Sequence, residues 1–161
     1  VVAATADGGA TWQVISEQAY PTLIDVAMAG DHGYAVGLNG TLLSLSVAAD
    51  GAWTVTPVAS GVSQHLLSVA LSADGARGLV GGNGLLLSLV DGTFKPASVP
   101  DTVPLSYIWI GGVAIGKDGH AVAVGQGGLI LRADAPDAAF APAAIEAGVT
   151  PVSYTSAEKA Q

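Results

Sequence analysis

Aspartates are the side chains of this sequence that could most readily do chemistry, and they recur at turn positions. The recurring set is Asp7, Asp31, Asp50, Asp74, Asp91, Asp118 and Asp134. Clustered carboxylates can bind calcium, but the calcium loop, with acidic oxygens at alternate positions and a bidentate Glu, is absent from the sequence. Aspartates at turns hydrogen-bond to nearby backbone N–H groups. We therefore predict that these residues cap turns and that the chain has no metal site.

The other candidates for catalysis or metal binding do not form a recognisable set. His32 and His120 are 88 residues apart, which is twice the repeat length found below, so they occupy equivalent turns of units that are not adjacent. The glutamates lie in loops or in the C-terminal tail, and cysteine is absent, which excludes thiolate chemistry. The sequence therefore predicts no catalytic residue and no cofactor.

Charge and hydrophobicity exclude further classes of partner. The formal net charge is −8, with only 5 Lys and Arg against 13 Asp and Glu. Nucleic-acid binding requires clustered cations that neutralise phosphates, so no nucleic-acid partner is expected. Half of the residues are hydrophobic, which excludes intrinsic disorder. Uninterrupted apolar runs stay well below the 18 or so residues of a membrane span, so we expect no direct membrane insertion.

A glycine-bracketed motif occurs three times at a fixed period. The copies are Gly37–Gly40, Gly81–Gly84 and Gly125–Gly128, so their first glycines are 44 residues apart (37 to 81, 81 to 125). An apolar run precedes and follows each copy, as expected of hairpins with tips at Asn39-Gly40, Asn83-Gly84 and Gly127-Gly128. Type I′ turns are predicted there, because Asn-Gly and Gly-Gly tolerate positive φ at both central residues.

Each period supplies four short strands. A further apolar segment precedes each hairpin, and an aromatic residue opens a fourth strand after it: Trp12, Trp53, Phe94 and Phe140. Four antiparallel strands repeated every 40–50 residues are typical of β-propeller blades. A β-solenoid would repeat at about half this length, and a simple closed barrel has no reason to repeat its sequence. The predicted fold is therefore an all-β, partial propeller.

The repeat divides the chain into blades. Residues 1–22 are predicted to be the third and fourth strands of one blade, and 23–58, 59–98 and 99–144 to be complete blades. Residues 145–161 are a tail or the start of a further blade. The rest of the ring would come from further blades of the same polypeptide, from a second copy or from another subunit, because open sheet edges promote association.

One segment carries a motif that is specific for a fold. Thr5-Ala6-Asp7-Gly8-Gly9-Ala10-Thr11-Trp12 fits Ser/Thr-x-Asp-x-Gly-x-Thr-Trp, the Asp box. Its expected role is structural: Asp7 accepts hydrogen bonds from its own hairpin, Gly9 supplies positive φ, and Trp12 packs beneath the turn. Asp50–Trp53 and Asp91–Phe94 read as eroded copies.

With the recurrent Gly-x-Ala-Val-Gly phrase, this Asp box resembles the photosystem II stability/assembly-factor-like propellers, a branch of the BNR (bacterial neuraminidase repeat) proteins. The resemblance implies a non-catalytic scaffold or assembly subunit in an extracytoplasmic compartment, periplasm or lumen, that binds a membrane-protein complex. The photosynthetic members carry an arginine-rich patch, whereas this chain has only Arg77 and Arg132. The alternative is a glycan-binding or sialidase-like BNR domain. A sialidase needs three clustered arginines, so in that case the catalytic residues would lie outside this sequence.

Topology predicts which residues would meet a partner. In a four-stranded antiparallel blade the first and third turns lie at one end, here rich in Asp, and the second turn and the inter-blade links at the other. The links carry the candidate partner residues Tyr20, His65, Tyr107 and Tyr154. Aromatic residues with a polar tip are good interface anchors. The competing interpretation is that they plug the ends of the grooves between blades.

Overall fold

The structure, a computed structural model, describes residues 1–143. These residues form short antiparallel strands joined by turns and loops. The strands are β1 (Val2–Ala4), β2 (Gln13–Ser16), β3 (Leu23–Ala29), β4 (His32–Gly37), β5 (Leu42–Val47), β6 (Trp53–Pro57), β7 (Leu66–Leu71), β8 (Gly78–Gly82), β9 (Leu85–Val90), β10 (Thr93–Pro96), β11 (Ile110–Ile115), β12 (Ala121–Gly125), β13 (Leu129–Ala133) and β14 (Ala141–Pro142). Single 3₁₀ turns cover Leu38–Gly40, Leu105–Tyr107 and Gln126–Gly128. Within residues 1–143, no helix has the length and hydrophobicity needed to cross a membrane.

The strands form one hairpin and three four-stranded sheets. The N-terminal hairpin is β1–β2, sheet I is β3–β6, sheet II is β7–β10 and sheet III is β11–β14. Within the hairpin and within each sheet, strands that are consecutive along the chain pair antiparallel, so the four-stranded antiparallel architecture predicted from the repeat is confirmed. The first and third turns of each sheet therefore lie at one end, the Asp end, and the second turn and the links lie at the other, the link end. The predicted tail, 145–161, with Tyr154, lies outside the described residues.

The first strand of each sheet carries a β-bulge at the same position. The pairing register shifts between Leu23 and Asp25 in β3, between Leu66 and Ser68 in β7, and between Ile110 and Gly112 in β11. A bulge inserts one unpaired residue and increases the local twist of a strand. The residue after it then faces the neighbouring sheet, as the hydrogen bonds of Asp25 and Ser68 described below require.

Two apolar cores hold the three sheets together. Between sheets I and II the core includes Val36, Val69, Val80 and Phe94, and the rings of Tyr34 and Phe94 meet edge to face at 5.0 Å. Between sheets II and III it includes Leu79, Leu86, Ile110, Leu131 and Phe140. Because β8 and β9 supply alternate residues to both cores, these strands are apolar at nearly every position, as expected for strands covered on both faces.

The middle hairpin differs from the prediction. Asn39 and Gly40 have positive φ, 56° and 69°, as do Gly127 and Gly128, 72° and 77°, but in the middle turn only Gly84 does. Asn83 instead donates its N–H to His65 O at 2.9 Å and forms an isolated antiparallel bridge with Trp109. The prediction of a type I′ turn at Asn83-Gly84 is therefore wrong, because pairing with two links holds Asn83 out of the left-handed region.

The structural repeat is also shifted by one residue in sheet II. The glycine that ends the second strand is Gly37 in sheet I, Gly82 in sheet II and Gly125 in sheet III, so Gly82, not Gly81, corresponds to the other two. A Cβ at any of these three positions would collide with a carbonyl oxygen of the preceding link, that of Thr22, His65 or Trp109. Close backbone approach thus explains these glycines.

Candidate interaction surfaces

The Asp box forms a hydrogen-bonded turn centred on Asp7. Thr11 donates its hydroxyl to one carboxylate oxygen at 2.6 Å and its N–H to the other at 2.9 Å. Thr5 donates its hydroxyl to Asp7 at 2.7 Å and accepts the Gly9 N–H at 2.9 Å. The hydrogen bonds from the Thr11 hydroxyl, the Thr11 N–H and the Thr5 hydroxyl lower the pKa of Asp7 well below the usual aspartate range. The ionised carboxylate therefore acts as a hydrogen-bond acceptor within the turn.

Trp12 lies against this turn, beside Gly9, but the ring is not buried there. Its indole N–H donates to Gly9 O at 3.2 Å, but 65% of the residue is exposed. Together with Trp53 it lines an apolar groove of about 470 Å³ between the N-terminal hairpin and β3. The ring is exposed because no further sheet lies against this side of residues 1–143.

The eroded Asp boxes differ from one another. Asp50 caps its turn by accepting the Ala52 N–H at 3.0 Å. Asp91 and Gly92 form a two-residue turn between β9 and β10 with φ of 50° and 71°. Positive φ at both central residues is the type I′ pattern, so Asp91-Gly92 makes the turn that was expected at Asn83-Gly84.

The three candidate partner-binding residues within residues 1–143, namely Tyr20, His65 and Tyr107, lie in different environments. Tyr107 ends a 3₁₀ turn in the link before sheet III and is 85% exposed, with exposed Trp109 two residues further on. Tyr20 is half-buried, and its hydroxyl lies 3.1 Å from Ser16 Oγ. His65 is half-buried too, and its Nδ1 accepts the Asn39 N–H at 3.1 Å. Tyr107 is therefore open to a partner, whereas Tyr20 and His65 make contacts within the molecule.

The Asp end carries exposed histidine–carboxylate pairs. His32 lies 3.5 Å from Asp31 and 3.5 Å from Gly75 O of the next sheet. His120 lies 3.5 Å from Asp134 and 3.8 Å from Asp118. Within residues 1–143 no group of three or more metal-ligating side chains converges on one point.

Two side chains that the sequence pattern did not indicate connect neighbouring sheets. Asp25, after the bulge in β3, accepts the N–H of Val26 at 2.9 Å and that of Val69 in β7 at 2.9 Å. Ser68 occupies the same position in β7 and accepts the N–H of Val113 in β11 at 3.3 Å. The sequence did contain a signal for this contact. Asp25 is the one charged residue in the otherwise apolar strand β3, and Ser68 occupies the same position in β7.

Sheets I, II and III stack face to face, and the N-terminal hairpin precedes them as the outer half of a further sheet. This arrangement defines a segment of a β-propeller. The fold is similar to that of solved structures of YCF48, which are propellers. YCF48 from Cyanidioschyzon merolae superposes with a TM-score of 0.62 at 21% identity over 83% of this chain and 40% of that chain. A structure described as YCF48 bound to D1 peptide superposes with a TM-score of 0.58 at 20% identity, over 76% of this chain and 40% of that one.

This likeness establishes the fold, and the chain spans about two fifths of the length of both structures. No protein-family model matches the sequence. No curated protein matches it either.

Proposed function

We propose that the chain is part of a non-catalytic β-propeller that binds another protein and acts as a scaffold or assembly subunit. The observation that carries the proposal is the shared fold with YCF48, one structure of which is described as bound to a D1 peptide. The Asp-box resemblance supports the same assignment independently, because it rests on residues 5–12 and on the repeated phrase rather than on the fold.

Side-chain chemistry supports binding over glycoside hydrolysis. The sialidase-like alternative needs three arginines around one carboxylate, but Arg77 lies 3.6 Å from Asp137 and Arg132 lies 3.9 Å from Asp134. These are the only two arginines of the sequence; Arg77 lies in the turn between β7 and β8, Arg132 lies on β13, and each is beside a carboxylate of the protein. They cannot form the clamp, and nothing in residues 1–143 favours that alternative.

We propose the link end as the binding surface, with Tyr107 as its anchor. Tyr107 and Trp109 offer large, rigid, exposed aromatic area, which is the composition of interface hot spots. The carboxylates gathered at the Asp end are solvated and favour solubility over docking. The proposed partner is a subunit of a membrane-protein complex, in the periplasm or a lumen, as the family resemblance implies.

Site-specific photocrosslinking tests this function. A benzoylphenylalanine replaces Tyr107 in one variant and Lys117, an exposed residue at the Asp end, in the control. In membranes of the source cells, the Tyr107 variant should give a discrete adduct with a membrane-protein subunit and the Lys117 variant should not. Adducts formed mainly through Lys117, or formed equally by both, would contradict the assignment. Tyr107→Ala should lower capture of the same subunit without changing the melting temperature, since the side chain is exposed.

A further inference from the structure

The outermost strand of sheet I has an unpaired edge. β6 pairs with β5 on one side, and within residues 1–143 no strand pairs with its other side. This edge belongs to a complete four-stranded sheet, whereas the further blades of a propeller pack against the faces of sheets. Completing the ring would therefore leave the edge open. Its free N–H and C=O groups are a template for pairing with another chain.

The pairing register identifies the backbone groups that point outwards. The β5–β6 ladder runs without a bulge. Val58, directly after β6, donates its N–H to a carbonyl of β5 at 2.9 Å. Ladder hydrogen bonds alternate along an antiparallel strand, so Thr54 and Thr56 also bond to β5. The residues whose N–H and C=O groups point away from β5 are Trp53, Val55 and Pro57.

The corresponding edges of sheets II and III are shorter and are protected by proline. By the same alternation, Phe94 and Pro96 point outwards from β10, and Pro142 points outwards from β14. Proline has no N–H to donate, and Lys95 lies beside Pro96; both residue types protect the edges of natural sheets. β6 has no charged residue, and its one proline, Pro57, comes last. β6 is therefore the least protected outer edge of the three sheets.

The sequence of this edge is symmetric about Val55. Thr54 and Thr56 flank it, and both are exposed on one face of the sheet. The side chains of Trp53 and Val55 lie on the opposite face and pack against buried residues of β4 and β5. A two-fold axis requires a surface that is complementary to itself. With Val55 opposite its own copy, Thr54 faces Thr56 and Trp53 faces Pro57.

We propose that β6 pairs antiparallel with β6 of a second copy of this chain, forming a two-fold symmetric dimer with Val55 on the axis. The two Val55 residues exchange N–H···O bonds, and each Trp53 N–H donates to Pro57 O of the other copy. Opposed threonines add favourable cross-strand contacts. No like charges meet, because β6 is uncharged. The inference does not depend on the proposed function, which uses the link end.

Sedimentation equilibrium of the 161-residue chain tests the dimer. The wild type should show a concentration-dependent equilibrium between monomer and dimer. Thr54→Lys with Thr56→Lys places like charges opposite each other and should weaken dimerisation by about tenfold. Thr54→Lys with Thr56→Glu is the matched control, because each introduced lysine then faces an introduced glutamate, and it should dimerise at least as tightly as the wild type. Both sites are exposed, so both double variants should keep the melting temperature of the wild type.

A third variant removes the central donor. Val55→Pro should be monomeric, and an edge strand accepts proline where the N–H faces solvent. Two results would overturn the proposal. The first is a wild type that stays monomeric. The second is equal dimerisation of the two double variants, a comparison that does not depend on the stability of Val55→Pro. General repulsion cannot imitate the expected difference, because two added lysines lower the net negative charge of the chain and would favour association.

Discussion

At the scale of single residues, Asp7 shows how a local motif fixes a protonation state. Five hydrogen bonds link its carboxylate and the Thr5 hydroxyl to the turn, and the pKa of Asp7 is lowered, chiefly by the Thr11 hydroxyl. A carboxyl group with a lowered pKa in the folded state stabilises the protein above its unfolded pKa, and this contribution is lost as the pH falls. The Asp box should therefore be sensitive to acid.

The first prediction is the pH dependence of Asp7→Asn. The wild type should melt above the variant at neutral pH, and the difference should shrink as the pH falls below about 4, the usual pKa of an unfolded aspartate. Melting curves between pH 7 and pH 2 measure it. The difference between the proteins is the useful quantity, because the pKa of Asp74 is also lowered, by the Ser72 hydroxyl and the Ala76 N–H, and both proteins keep Asp74. A constant difference down to pH 2 would contradict the assigned role.

The second prediction compares two aromatic residues that open fourth strands. Phe140 is 3% exposed in the core between sheets II and III, whereas Trp12 is largely exposed. Phe140→Ala should lower the free energy of unfolding by about 3–5 kcal/mol, as for other buried aromatics. Trp12→Ala should lower it by about 1 kcal/mol, the usual size of a lost hydrogen bond. Urea titrations of the two variants measure both values, and equal costs would show that Trp12 is buried in solution.

The motif spacing is enough to predict the hydrogen bonds of Asp7, because all of its partners lie within four residues. It does not predict the exposure of Trp12, because burial depends on which sheet lies against the ring. The contacts of His65 with Asn39 and of Asp25 with Val69 were missed for the same reason, since they join residues 26 and 44 positions apart. Short-range geometry could be predicted from the sequence, and contacts between repeats could not.

At the scale of elements, the hairpin tips show how one inserted residue changes a turn. The tips of sheets I and III have three residues between the last paired positions, whereas that of sheet II has two, Asn83 and Gly84. Counting glycines gives a uniform period of 44 and hides this difference. The bulges in β3, β7 and β11 are hidden likewise, because an extra apolar residue within an apolar run leaves the pattern unchanged. Strand order and turn positions could be predicted, but register could not.

The third prediction tests the two asparagines of these tips. Asn39 has φ of 56° and ψ of 37°, so Asn39→Ala should lower the free energy of unfolding by about 1 kcal/mol, the cost of a left-handed conformation for alanine. Asn83 has no positive φ, so Asn83→Ala should cost less than about 0.5 kcal/mol. Asn39→Gly is the control, because glycine tolerates the same φ and should restore most of the loss. Denaturant unfolding of the three variants separates these outcomes.

At the scale of the whole molecule, the three sheets are not equivalent. Sheet II is covered by sheet I on one face and by sheet III on the other, and β8 is buried along its whole length. Within residues 1–143, sheet I is covered on its other face only by the N-terminal hairpin, which leaves Val26 exposed, and the outer face of sheet III exposes Val124 and Ile130. Since burial of apolar area is the main favourable term in folding, local stability should rise from both ends towards sheet II.

The fourth prediction is the resulting gradient of hydrogen exchange in the 161-residue chain. Amides of β8 and β9 should exchange most slowly, because they open only when both cores separate, and amides of β1, β2 and β14 should exchange fastest. β4 and β12 lie in sheets I and III, which are less completely covered than sheet II, so their amides should exchange at intermediate rates. Exchange read by mass spectrometry of peptides resolves the three groups without any substitution. Slower exchange in β1 and β2 than in β8 would mean that the face of sheet I is covered in solution, and the gradient argued from the two cores would then be wrong.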